Sequence, residues 1–332
     1  MNQSRQPVLA AAVRSRSTSP AVGSWLSTVV AFVAAGLVGC DRGPSSNFDP
    51  DELVFVFQKQ KKPQQIEEHA SRAATFLSEQ LQIPVTSQVP LKYSMAVQAL
   101  VSGTADVAYL DSLAFVLARR DGDVELLVAE VREDAAGKSR TDYDSIFVVA
   151  RDSPLKSIKD VVSNAADLRM VFTSEISTSG YLMAVRRLVN EGLMEAGQDP
   201  KQAFKSVAYA GGYTQALQQV LDGRGDVCAV SYYTMEGERA DVYLDQAQRD
   251  SLRILARTPG VPTHLICVRR GLSPDLKQRT RAALMKLSRD QPELLADVYG
   301  AKSLTQVDEQ EHVAATVEAL KYVGIPVEKF VK

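Results

Sequence analysis

Ile176-Ser177-Thr178-Ser179-Gly180-Tyr181 is the stretch on which the reading of this chain turns. It follows Arg169 to Thr173 (RMVFT), a short apolar run that reads as a buried strand. It precedes Tyr181 to Leu193, where Leu182, Val185, Leu188 and Leu193 recur at roughly helical spacing. The loop therefore stands where a strand hands over to a helix. Three hydroxyls can donate hydrogen bonds there, Gly180 lets a backbone come close, and the first free N–H groups of the helix point the same way. Those are the parts of an anion cradle. Ser177 and Ser179 also fit a plainer role, as caps of the helix start.

Working outward, the chain falls into units that alternate strand and helix. Glu52 to Phe57 (ELVFVF) has the continuous apolar character of a strand buried on both faces, as in a parallel sheet. Gln58 and Lys59 then lie at its carboxyl end, where ligands gather in open α/β sheets. Lys59 opens a charge run (KQKK) that is otherwise a solvated surface. A helix from Pro63 carries Ile66, Ala70, Ala73, Leu77 and Leu81 on one face, and a strand at Pro84 to Val89 leads to Tyr93.

A repeat is the best internal evidence of architecture. Tyr93 to Ser112 (YSMAVQALVSGTADVAYLDS) aligns with Tyr213 to Tyr232 (YTQALQQVLDGRGDVCAVSY), pairing Tyr93 with Tyr213, Gly103 with Gly223 and Asp106 with Asp226. One copy lies before the hydroxyl loop and one after it, which predicts two α/β lobes of similar build. Each copy ends in polar residues: Tyr109, Asp111 and Ser112 in the first, Ser231, Tyr232 and Tyr233 in the second.

Between and after the copies, the pattern predicts a strand at Asp144 to Arg151, a turn at 152–154 and a short helix at Leu155 to Val162. A strand at Arg253 to Arg257 should end in a turn at Thr258-Pro259-Gly260, and His264 to Val268 should return to the first lobe. Helices follow at Pro274 to Arg289, Pro292 to Tyr299 and Gln306 to Val323. The expected lobes are 51–146 with 260–332, and 147–259, joined by a two-strand hinge beside an interlobar cleft.

The first 39 residues differ from the rest. Arg5, Arg14 and Arg16 precede an apolar run, Val29 to Val38, too short for a permanent membrane span, and the run ends in Gly39-Cys40. Leu37-Val38-Gly39-Cys40 looks like a bacterial lipobox, so residues 1–39 are expected to be a lipoprotein signal peptide, Cys40 the lipidated residue and 40–50 a tether. Asp41 resembles an inner-membrane retention signal. Formal net charge is −2 and grows more negative once the arginines leave, which argues against a nucleic-acid partner. Cys228 and Cys267 lie in apolar strand-like runs that favour buried thiols, with a disulfide as the alternative.

Chemistry for catalysis is sparse. His69, His264 and His312 are scattered without ligand spacing, so no metal site is expected, and no nucleophile elbow, phosphate-binding loop or dinucleotide fingerprint is present. No cofactor and no catalytic residue are expected.

Together these residues resemble the periplasmic phosphate/phosphite/phosphonate-binding proteins of ABC importers, a branch of the type II periplasmic-binding-protein fold. The resemblance runs from about Leu53 to Tyr322. It rests on Tyr93 to Leu100 with Ser102-Gly103 and Asp106 to Tyr109, on Arg151-Asp152-Ser153 with Ser157 to Asp160, on Ser177 to Tyr181, and on Ala210-Gly211 with Val220 to Gly223. It implies an α/β protein whose two lobes close on a tetrahedral phosphorus oxyanion. Ser177, Thr178, Ser179 and Gly180 would hold the oxygens, and Tyr93 would reach the same group. Tyr109, Asp111, Tyr213, Gln58, Lys59, Ser231 and Tyr232 complete the candidate set. It also implies a membrane permease as partner, a membrane anchor through Cys40 and a monomeric receptor. The alternatives are a sensor that presents an oxyanion to a membrane histidine kinase, and a hydrolase of phosphorus esters.

Departures from the family pattern bear on the ligand's substituent. Gly211-Gly212-Tyr213 stands where relatives often carry Gly-Ser-His, and Asp111-Ser112 where they often carry Gly-Pro. Asp111 is then a candidate partner for an ammonium group or for the proton of a P–OH.

Overall fold

The structure is a computed structural model and describes residues 49–59, 63–134, 137–237 and 239–325. The expected signal peptide, Cys40 and most of the tether lie outside the described residues. The described residues form one compact unit.

The chain begins with β1 (Leu53–Phe57), α1 (Pro63–Leu81), β2 (Val85–Gln88), α2 (Tyr93–Ser102), β3 (Val107–Leu110), α3 (Ser112–Asp121) and β4 (Val124–Glu133). It crosses over through β5 (Ser139–Arg140) to β6 (Asp142–Ala150), α4 (Ile158–Asn164), β7 (Arg169–Phe172), α5 (Met183–Asn190), β8 (Ser206–Tyr209), α6 (Tyr213–Leu221), β9 (Val227–Ser231), α7 (Gln246–Asp250) and β10 (Leu252–Pro262). It then returns as β11 (Leu265–Arg269), α8 (Pro274–Asp290), α9 (Pro292–Tyr299), β12 (Ser303–Thr305) and α10 (Glu309–Val323).

Two sheets result. The first is seven-stranded, in the order β12-β4-β11-β3-β1-β2 with β5 attached to β4; the second is five-stranded, in the order β10-β6-β9-β7-β8. In each, a central strand pairs in parallel with two neighbours: β1 with β2 and β3, and β7 with β8 and β9. The strands that cross between sheets or return run antiparallel. This is a mixed α/β fold. One apolar core lies among α1, α8, α9 and one face of the first sheet, and a larger one joins the other face to the second sheet.

The repeat is the same physical unit twice. α2 ends at Gly103 and α6 is followed by Gly223, both with positive φ (76° and 68°), a conformation glycine adopts without strain. The aspartate opening each following strand then grips the strand beside it. Asp106 accepts from Val54 N at 2.9 Å and returns its own N–H to Val54 O, while Asp226 accepts from Arg169 N at 2.6 Å and donates to Arg169 O.

Two crossings join the sheets: Thr141 between β5 and β6, and Thr263-His264 between β10 and β11. Thr263 binds one to the other, its N–H donating to Thr141 O (2.9 Å) and its hydroxyl reaching Glu130 O (2.7 Å) and Thr141 O (3.0 Å).

Some expectations need correction. The turn at 258–260 is no turn: β10 runs on to Pro262 and absorbs Pro259-Gly260 as a bulge between Thr258 and Val261. β10 is a sheet edge, where a proline's missing donor costs no ladder bond. The return strand starts at Leu265, with His264 in the crossing itself. Cys228 and Cys267 are buried free thiols in different sheets.

Candidate functional site

The hydroxyl loop leaves β7 and winds as a π turn, Thr178–Leu182, before α5. Such turns are frequent at functional sites because they aim side chains off the regular helical spacing. Gly180 is required there: a Cβ at this position would run into the Thr173 side chain. Ser177, Thr178 and Ser179 are all fully buried. Ser177 is the helix cap, accepting from Gly180 N at 3.1 Å, so the plainer reading holds for this residue.

Thr178 reaches the first sheet's side. Leu113 N donates to its Oγ1 at 2.8 Å, Ser112 Oγ lies 3.1 Å from the same oxygen, and Thr178 N donates to Asp111 Oδ2 at 3.3 Å. Asp111 is the cap of α3, accepting from Ala114 N at 2.9 Å. Gln58, at the end of β1, braces it: its Oε1 accepts from Asp111 N at 2.7 Å and its Nε2 approaches Asp111 Oδ2 at 3.4 Å. Burial pushes the Asp111 carboxyl above its ordinary range, opposed by His264 and by the Ala114 and Thr178 N–H groups.

Ser179 points to the other repeat. Its Oγ lies 2.9 Å from Tyr213 OH, 2.8 Å from Ser231 Oγ and 3.5 Å from Tyr143 OH, and Ser145 Oγ donates to its carbonyl at 2.7 Å. Tyr93, the counterpart of Tyr213, is buried with its hydroxyl unpartnered among the described residues. Burial raises its pKa, and Tyr213 and Asp111 add to the effect. The two tyrosines that begin the repeated helices therefore lie close enough to act on each other, with Asp111 nearby.

Lys59, half-buried, brings Nζ to within 3.8 Å of where a Cβ of Gly211 would stand, so a residue following β1 meets the loop following β8. Tyr109 and Tyr232 are engaged elsewhere. Tyr109 OH donates to Glu130 Oε1 at 2.6 Å, and Tyr232 OH donates to Glu133 O at 2.6 Å. Sequence reasoning missed Tyr143 and Ser145, brought in by β6 through the pairing of Ser145 with Ser231. It also missed the buried group of Glu130, Arg132 and His264.

Neutral hydroxyl and N–H donors thus converge on one buried carboxyl, an arrangement suited to an oxyanion that carries a proton or a cationic group. Among the described residues, no cluster of His, Cys, Asp and Glu is arranged to hold a metal ion.

Comparison with known proteins gives a consistent result. The family model of ABC transporter phosphonate periplasmic substrate-binding proteins matches residues 55–312. The phosphate-import protein PhnD of Mycolicibacterium smegmatis is 22% identical over 201 residues, which cover 59% of this chain and 61% of that relative. Among solved structures, a binding protein component of an ABC phosphonate transporter from Pseudomonas aeruginosa aligns with a TM-score of 0.68 at 20% identity, over 85% of this chain and 98% of that one. PhnD1 from Prochlorococcus marinus, in complex with methylphosphonate, also aligns at 0.68, with 18% identity over 82% of this chain and 98% of that one. The likeness to these structures is one of fold.

Proposed function

This chain belongs to the family of periplasmic substrate-binding proteins of phosphonate ABC transporters, and from that premise we propose that it captures a tetrahedral phosphorus oxyanion and presents it to a membrane permease. The ligand class is phosphate, phosphite or a small phosphonate. The observation that carries the proposal is the buried meeting of Thr178, from the second sheet's side, with Asp111 and the start of α3 from the first, beside Ser179 and its own hydroxyl partners.

In this reading the oxygens accept from Thr178, Ser179, Tyr213 and Tyr93 and from N–H groups of the π turn, while Asp111 accepts the proton of a P–OH or faces an ammonium substituent. Lys59 offsets charge at the rim. Gln58 holds Asp111 in place, Ser177 shapes the loop and Ser231 orients Ser179. Binding requires the halves built on the two sheets to part and close about the two crossings. A lipid on Cys40 would keep the receptor close to its permease and raise the effective concentration there.

Calorimetry of the mature protein against phosphate, phosphite, methylphosphonate, 2-aminoethylphosphonate, arsenate and sulfate tests this. Binding of one or more of the phosphorus ligands, with sulfate excluded, is the expected result. Indifference to all of the phosphorus compounds would refute it.

A further inference from the structure

Behind the hydroxyl loop lies a polar group that the proposed contacts do not use. Glu130 and Arg132 stand in β4 and His264 in the crossing between β10 and β11; Glu130 and His264 are fully buried and Arg132 nearly so. Arg132 is engaged on every nitrogen, donating to Glu130 Oε2 (2.8 Å), Tyr299 O (2.7 Å) and Gly300 O (3.2 Å), with its guanidinium 3.7 Å over the Tyr233 ring. Burial by itself would raise the Glu130 carboxyl, but Arg132, His264 and the Tyr109 hydroxyl outweigh it and pull the carboxyl down to about 2. Glu130 is therefore ionised at neutral pH.

His264 is the incomplete member. Its Nδ1 lies 3.4 Å from Glu130 Oε2, an ion-pair distance whose geometry falls short of a hydrogen bond, and neither ring nitrogen has a hydrogen-bond partner among the described residues. Buried polar atoms are nearly always partnered. The imidazole stacks parallel to Tyr143 (6.0 Å, 7°), whose hydroxyl is 3.5 Å from Ser179 Oγ. It also packs near Tyr299 (5.9 Å) and Tyr233 (6.4 Å), and Tyr299 OH donates to the carbonyl of Gln58, the residue that braces Asp111. The walls around this ring are neighbours of the candidate oxyanion site.

Resting on the reading of that site as an oxyanion receptor, we propose that His264 contacts the bound oxyanion through Nε2 and takes up a proton from solvent as the ligand enters. Nδ1 faces Glu130, which leaves Nε2 for the ligand. One N–H bond forms with a proton drawn from the buffer, and no bond of the ligand breaks. The surroundings allow it. The charged groups about the ring are Glu130 and Arg132 on β4 and Asp111 at the cap of α3. His312 on α10, its Nε2 3.0 Å from Thr263 O, is kept toward the neutral form by burial. Burial likewise keeps the Tyr143, Tyr233 and Tyr299 hydroxyls protonated. An arriving anion tips this balance, and it does so at a residue bonded directly to the hinge's Thr263.

The test is calorimetry of methylphosphonate, phosphite and phosphate binding in buffers of different ionisation heat near pH 8, with proton-detected nitrogen NMR of the histidine side chains. Only three histidines make up the whole set. The wild-type protein should take up about one proton per ligand, and the His264 ring should change from neutral, with its proton on Nδ1, to imidazolium. His264→Gln should lose that uptake and His312→Gln should keep it. If His264→Gln fails to fold, the wild-type NMR titration alone decides. Ligand binding with a His264 ring that stays neutral, or uptake lost in His312→Gln instead, overturns the inference and leaves the receptor function standing. If neither these three ligands nor 2-aminoethylphosphonate binds the wild-type protein, both fall.

Discussion

Thr178→Val exchanges one hydroxyl for a methyl at nearly constant volume, and the hydroxyl it removes joins the two halves of the molecule. Thr178 Oγ1 accepts from Leu113 N at 2.8 Å and lies 3.1 Å from Ser112 Oγ, both fully buried contacts. Ser112 keeps a second partner, Thr316 Oγ1 at 2.7 Å, so its loss is small. The Leu113 N–H loses its acceptor, and a buried donor left unpaired costs about 1–3 kcal/mol. The contact exists only while the halves are together, so its loss falls on the closed form, and a ligand that binds this form weakens by roughly 5- to 150-fold. If Thr178 also donates to the ligand, a bond to a charged acceptor adds about 1.5–3 kcal/mol, and the combined loss approaches the limit of calorimetric detection. Calorimetry with methylphosphonate reads the affinity, and small-angle scattering reads the fraction of closed protein. A Kd within about twofold of wild type, with unchanged scattering, would refute the assignment of Thr178 to closure and to the site.

Three further outcomes follow from the same geometry. Gly180→Ala forces a Cβ against Thr173 and should lower stability by about 1–3 kcal/mol, read as a fall in Tm together with lost binding. Glu130, whose folded carboxyl is lowered from 4.5 to about 2, adds stability that is complete above its ordinary value and is lost as pH falls from about 4.5 through about 2; melting curves of Glu130→Gln should lack that acid limb and start from a lower Tm at neutral pH, since Arg132 is left without its anion. Arg239→Ala removes ion pairs from the second sheet's side to Glu293 (3.2 Å) and Asp297 on α9, partly exposed contacts worth about 0.2–1 kcal/mol each, so affinity should drop by a few-fold and the drop should shrink in high salt.

Local chemistry made much of this fold legible. β1 and β7 are buried on both faces, and that shows as unbroken apolar runs; the repeated helix and strand show because the same caps and the same aspartate grip recur. The place of the Ser-Thr-Ser loop between a strand and a helix was legible as well. What stayed hidden depends on distant pairing. Tyr143 and Ser145 come beside Ser179 through the register of β6 on β9, and Glu130 meets His264 because β4 and β11 are neighbours. Neither relation leaves a pattern along the chain. β10 was hidden for a related reason: Pro259-Gly260 reads as a turn unless the strand is known to lie at an edge.

The binding of Thr263 to both Glu130 and Thr141 bears on how the molecule can move. With the two crossings pinned together, any parting of the halves would turn about one axis, as covers turn on a single spine, instead of sliding or shearing. Such a joint would have essentially one soft coordinate. Whatever biases it at the spine, including the charge on the adjacent His264, is multiplied by leverage toward the outer rim, where a permease would sense whether the covers are shut.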